Sequence, residues 1–126
     1  MKNQYIFKKI FFLLLVIGLV SCGKDKDEEV EFVPAPQIDF EADETSTSSG
    51  LSVVYTNTSK NADPATYEWT IEYIGVNSPD EISPQLVFES KEENIQYTHT
   101  TIGYYRVTLF GSNSNGFGTS SILIRY

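Results

Sequence analysis

The chain has 126 residues, room for one domain and too few for a multi-domain enzyme. Nine basic against seventeen acidic residues give a formal charge of −8, a field that repels phosphate backbones and sets nucleic acid aside as a partner. Aromatic residues at 13% and hydrophobic residues at 40% are too abundant for a disordered polymer, so a packed core is expected.

Met1 to Lys9 form a short basic region, and Ile10 to Val20 form an unbroken apolar run of eleven residues. A membrane-spanning helix needs about 20 apolar residues, so residues 1–21 read as a signal peptide that is cut away. Leu19-Val20-Ser21-Cys22 resembles the bacterial lipobox, in which a branched apolar residue and a small residue precede an obligatory cysteine. The resemblance implies that Cys22 is the lipidated N-terminus of the mature protein, held in a membrane by several acyl chains. An ordinary secretory leader followed by a chance cysteine is the alternative; the serine before Cys22, the apolar length and the lack of any other cysteine favour lipidation. With its one sulfur taken, the mature chain has no disulfide, no thiolate nucleophile and no cysteine-ligated zinc. Its charge becomes −11, because Lys2, Lys8 and Lys9 leave with the leader.

Residues 22–36 follow as a tether, charged, without periodicity and ending in two prolines. Its fourteen residues after Cys22 reach about 45 Å when extended at about 3.3 Å each. The run Lys24-Asp25-Lys26-Asp27-Glu28-Glu29 resembles the acidic export signal of Bacteroidota surface lipoproteins. That resemblance implies an outer-membrane lipoprotein displayed on the cell surface; a solvated spacer is the reading that needs no receptor.

From Gln37 to Tyr126 turn-forming clusters recur every eight to twelve residues, and the segments between alternate with period two, the pattern of an all-β domain. Seven strands are expected: Gln37–Ala42, Leu51–Asn57, Thr66–Ile74, Gln85–Glu89, Ile95–Thr98, Tyr104–Ser112 and Gly118–Tyr126, with no convincing helix. Asp43–Gly50, Thr58–Ala65, Gly75–Pro84, Ser90–Asn94 and Asn113–Phe117 are the expected separators, and Asn115-Gly116 is a strong hairpin signal. Alternation turns Ile38, Phe40, Leu51, Val53, Tyr55, Tyr67, Trp69, Ile71, Tyr73, Tyr105, Val107, Leu109, Ile122 and Ile124 inward. Two antiparallel sheets closing those faces on one another make a β-sandwich.

Val53-Val54-Tyr55-Thr56-Asn57-Thr58-Ser59, Tyr67-Glu68-Trp69, Gly103-Tyr104-Tyr105-Arg106-Val107-Thr108-Leu109 and Asn113 through Gly116 resemble, in order and spacing, the PKD (polycystic kidney disease repeat) domain. The resemblance covers about Pro36 to Tyr126. It implies an immunoglobulin-like sandwich in which Trp69 packs between the sheets and Tyr105 makes the corner hydrogen bond at the start of the sixth strand. It also implies a module that contacts protein or glycan rather than one that catalyses. One departure stands out: where the family turns tightly after its tryptophan, Thr70 to Gly75 extend the strand ahead of a long loop over 75–84. Gly111, where a β-branched core residue is common, points to a bulge or a close approach of another backbone.

Chemistry has little to work with. His99 is the only histidine and is placed in the turn before Gly103, so no catalytic residues and no cofactor are assigned. Gly111 to Gly118 has the glycines of a phosphate-cradling loop but neither its lysine nor its helix. Asp39, Glu41 and Asp43 share one outward side, a linear row where calcium needs a cage of about six to eight oxygens. A charged edge that blocks strand pairing explains that row more simply, and no metal site is assigned. The more useful feature is the outward side of the third, sixth and seventh strands, with Tyr104, Arg106, Thr108, Phe110, Glu68, Thr70, Glu72, Leu123 and Arg125. Aromatics and arginine are what partner-binding patches enrich, although aromatics favour strands on any face. The expectation is a non-catalytic, lipid-anchored envelope module that binds protein or glycan; its rival is a structural or assembly subunit of an outer-membrane complex such as a glycan-uptake system.

Overall fold

The computed structural model describes residues 30–47, 50–80 and 83–126. The expected signal peptide, Cys22 and the acidic run after it lie outside these residues, as do two residues of the loop over 75–84. Among the described residues no helix is long and apolar enough to cross a membrane.

Seven strands form: β1 (Phe40–Thr47), β2 (Gly50–Asn57), β3 (Glu68–Gly75), β4 (Gln85–Ser90), β5 (Ile95–His99), β6 (Tyr104–Asn113) and β7 (Gly116–Arg125). They lie in a three-stranded sheet of order β1-β2-β5 and a four-stranded sheet of order β4-β3-β6-β7, with every pairing antiparallel. This is an immunoglobulin-like β-sandwich. The inward residues follow from period-two alternation: Val53, Tyr55, Trp69, Ile71, Tyr105, Val107 and Leu109 are buried, with Ile38, Leu51, Tyr73 and Ile122 packed partly exposed against them.

Trp69 sits at the centre, fully buried, its ring crossed edge-on by Phe40 with centroids 5.0 Å apart and tilted against Tyr55 at 6.2 Å. Its indole N–H is not stranded by that burial, because it donates to the Glu92 carbonyl at 3.0 Å. Tyr105 does form the corner: its hydroxyl donates to the Thr101 carbonyl at 2.8 Å and pins the β5–β6 connection to the start of β6. Burial pushes the Tyr105 phenol up from its ordinary range, a shift that the bond to Thr101 opposes.

Most strand ends move by one or two residues from expectation, and three differences are larger or change the local structure. β1 starts at Phe40 and runs through most of the predicted separator Asp43–Gly50, pairing Glu44 with Val53 and Thr47 with Gly50. The polar run Asp43 to Thr47 carries no alternation because this is an edge strand, and Gln37, expected inside it, makes only an isolated bridge to Lys60. The β6–β7 turn falls on Ser114 and Asn115, one residue earlier than Asn115-Gly116, with Asn113 paired to Gly116. Gly116 takes a φ of 151°, open to glycine and rarely to other residues, as the first residue of β7. Between β2 and β3, where a plain loop was expected, Pro64–Thr66 make one 3₁₀ turn capped by the Asp63 carboxylate, which accepts from Ala65 N at 3.0 Å. That turn is fixed to the end of β6 through Asp63 N to Ser112 O and Ser112 N to Thr66 Oγ1, each 2.8 Å.

Gly111 is neither a bulge nor a backbone approach. Its register with Gly118 is regular, and a Cβ there would lie 2.7 Å from Ile38 Cδ1 and 3.2 Å from the Tyr67 ring, so the missing side chain makes room for two others.

Candidate binding face

The outer face of the β4-β3-β6-β7 sheet is built by Glu68, Thr70 and Glu72 of β3, the even residues of β6 and the odd residues of β7, since those of opposite parity face the core; past Tyr73 the β3 register shifts and Ile74 is buried. Cross-strand register then sets the neighbours. Glu72 stands opposite Arg106, Thr70 opposite Thr108 and Glu68 opposite Phe110; across the next pairing Arg106 faces Leu123, Tyr104 faces Arg125 and Thr108 faces Ser121. All nine residues assigned to this face from the sequence are therefore brought together on one side.

The face has two differently built ends. At one, the Arg125 guanidinium lies 5.4 Å over the Tyr104 ring and Arg106 Nη1 lies 3.5 Å from Glu72 Oε2. Arg106 and Glu72 remain partly solvated, so this pair fixes geometry more than it adds stability. A shallow depression of about 350 Å³ opens there between Arg106, Ser121 and Leu123 and the loop residues Pro79 and Asp80, so the long loop after β3 reaches the sheet beside this end. At the other end Phe110 and Phe117 stack with centroids 6.1 Å apart and an interplanar angle of 25°. Phe117 is 76% exposed, and beside the pair a depression of about 260 Å³ is lined by Glu68, Thr70, Thr108 and Phe110. A hydrogen-bonded hydroxyl pair, Thr108 with Ser121 at 2.8 Å, lies between the two ends.

Phe117 is the residue that sequence reasoning left out. It was assigned to the separator Asn113–Phe117, and only the shift of the turn to Ser114 and Asn115 places it in β7, on the same side as Phe110. Leu123, half exposed, is where it was expected.

His99 is not in the turn before Gly103. It ends β5, fully buried, with Nε2 3.0 Å from the Tyr55 hydroxyl and Nδ1 without a partner among the described residues. The rings of Tyr97 and Tyr105 close on it edge-on at 4.8 and 4.3 Å. Burial lowers its pKa to about 4, and burial together with the nearby Glu44 charge pushes the Tyr55 phenol up. The chain's one imidazole is thus held neutral and sealed from solvent. The row Asp39, Glu41 and Asp43 is exposed along the edge of the other sheet, with Asp39 Oδ1 accepting from Phe40 N at 2.9 Å just before the strand begins. Among the described residues no three His, Cys, Asp or Glu side chains gather into a metal-binding group.

Comparison of the chain with protein-family models and with curated proteins returned no match.

Proposed function

We propose that this protein is a lipid-anchored envelope protein displaying one PKD-like sandwich as a non-catalytic module that binds protein or glycan through the outer face of the β4-β3-β6-β7 sheet. The observation that carries the reading is the stacked Phe110–Phe117 pair, its Phe117 ring open to solvent, beside a shallow depression lined by Glu68, Thr70, Thr108 and Phe110, with Tyr104, Arg125 and Arg106 on the same face. Aromatic rings presented flat stack on sugar rings and, with arginine, dominate protein-recognition patches. The PKD likeness draws further support from Trp69 between the sheets and the Tyr105–Thr101 corner bond, and the anchor from the apolar leader that ends just before Cys22.

A glycan array and a pull-down with the purified full chain test the binding reading. A ligand in either is expected, with its affinity cut about tenfold or more by Phe110→Ala, Phe117→Ala or Tyr104→Ala, the loss typical of a recognition hot spot. No ligand in both, or a ligand indifferent to all three changes, refutes it. Protease shaving of whole cells tests display: a surface lipoprotein loses the domain, and a periplasmic one keeps it.

A further inference from the structure

Four strands edge the two sheets, and three of them are protected against pairing with another chain. β1 carries Glu41, Asp43 and Glu44 in eight residues; β4 is six residues long with a break in register between Ile71 and Glu72 and Glu89 near its end; β5 has five residues. Charges, irregularities and brevity are how natural sheets blunt their edges. β7 has none of these. It runs for ten residues, Gly116–Arg125, without proline, without a carboxylate, in unbroken register with β6, and its one charge is the terminal Arg125.

The direction of its free backbone groups is fixed by the reciprocal hydrogen bonds between Tyr126 and Gly103 just past the strand, at 2.9 and 3.0 Å. In an antiparallel ladder hydrogen-bonded pairs alternate with non-bonded ones. The pairs Ile124–Tyr105, Ile122–Val107, Ser120–Leu109 and Gly118–Gly111 therefore bond within the sheet, and Phe117, Thr119, Ser121, Leu123 and Arg125 turn their N–H and C=O groups to the open edge. None of these five has a backbone partner among the described residues.

We infer that the edge of β7 pairs antiparallel with β7 of a second copy of this chain, about a two-fold axis through Ser121. The edge is its own complement in that register. Ser121 meets Ser121, Leu123 meets Thr119, and Arg125 meets Phe117, so an arginine lies against an exposed aromatic ring and no two like charges face one another. The bonding phase agrees, because the residues on the axis and on either side of it are those whose amides and carbonyls point outward. The two sheets join into one of eight strands with both outer faces on the same side. This inference stands apart from the proposed ligand binding: a dimer without a ligand and a ligand without a dimer are separate outcomes.

Sedimentation of the purified full chain over a wide concentration range tests it, at physiological ionic strength, where repulsion between two copies of charge −8 is screened over about 8 Å. A monomer–dimer equilibrium is expected. Ser121→Lys puts two like charges across the axis and raises the dissociation constant about tenfold or more with the β-sheet circular dichroism spectrum retained, while Thr56→Lys, on the opposite sheet, leaves it unchanged. The register is read separately in a Cys22→Ser background. Ser121→Cys cross-links into a disulfide dimer, since residues opposed on the axis have Cα atoms about 5.5 Å apart, whereas Leu123→Cys, about 14 Å from its copy, does not. A chain that stays monomeric and uncross-linked overturns the inference, as does a dimer indifferent to Ser121→Lys, equal cross-linking at both positions, or a foreign chain recovered on this edge in place of a second copy.

Discussion

His99 gives up proton binding by being buried. Its pKa falls from 6.5 to about 4 because the charged ring would lose water between Tyr97, Tyr105 and Tyr55 and gain no counter-charge. The unfolded chain takes up this proton as pH drops through 6.5 and the folded one does not until about 4. Stability is full above 6.5 and declines across that window by roughly 3 kcal/mol, then holds level as far as this group is concerned. Denaturant unfolding at a series of pH values checks this: His99→Leu is less stable at pH 8 yet loses about 3 kcal/mol less between pH 7 and pH 4 than the parent. A parallel fall in the two proteins refutes it. At Gly111 the expected cost is steric. Gly111→Ala drives a methyl into Ile38 Cδ1 and the Tyr67 ring and destabilises by about 1–3 kcal/mol, and Ile38→Val in that background recovers part of the loss by removing the clashing atom. Additive effects in chemical denaturation show the contact to be irrelevant.

At the scale of elements, alternation made most of the sandwich legible and its failures are instructive. The centres of β2, β3 and β6 each have one apolar face and one polar face, so parity alone found Val53, Tyr55, Trp69, Tyr105 and the outward set from Glu68 to Phe110. β1 could not be bounded that way, because an edge strand exposed on both sides from Glu41 to Glu44 shows no apolar period. The hairpin residues were misplaced by one for a different reason: Asn-Gly tolerates positive φ at both positions, but here Gly116 alone uses that freedom, inside the strand. That single step hid Phe117. His99 was readable in principle, since Ile95, Tyr97 and His99 share the parity of the inward face, but a polar residue beside Thr100 and Thr101 looks like loop. The β6–β7 hairpin also holds the segment before β1, with Asn113 Nδ2 donating to Pro34 O at 2.7 Å and to Asn61 O at 2.6 Å while its Oδ1 receives Asn115 N at 2.8 Å. Asn113→Ala removes all three at once, for an expected loss of about 1–3 kcal/mol and faster amide hydrogen exchange at Asn115, whose N–H loses its acceptor. Unchanged stability together with unchanged exchange at Asn115 shows the bonds to be incidental.

The whole molecule joins its two sheets through connections only, without a disulfide, so the indole of Trp69 and the rings around it carry the closure. Trp69→Ala is expected to cost about 3–5 kcal/mol, a large part of what a domain of this size possesses, and circular dichroism at 37 °C then shows a substantially unfolded chain. Every pairing is antiparallel and several span long stretches of sequence, as β3 with β6 and β2 with β5, so folding is expected on the millisecond-to-second scale typical of sandwiches. Stopped-flow refolding complete in microseconds contradicts the topology.

The grip of the hairpin on the preceding chain has a mechanical side. Asn113 and Asn115 hold Pro34 and Val33 by side-chain amides, ahead of the Gln37–Lys60 bridge and the first strand. Among the described residues, a pull delivered from the N-terminal side meets these bonds before any strand, and they give way one at a time without unzipping a ladder. A few residues of slack are paid out while Phe40 keeps its seat against the tryptophan, so the domain yields length before it yields structure.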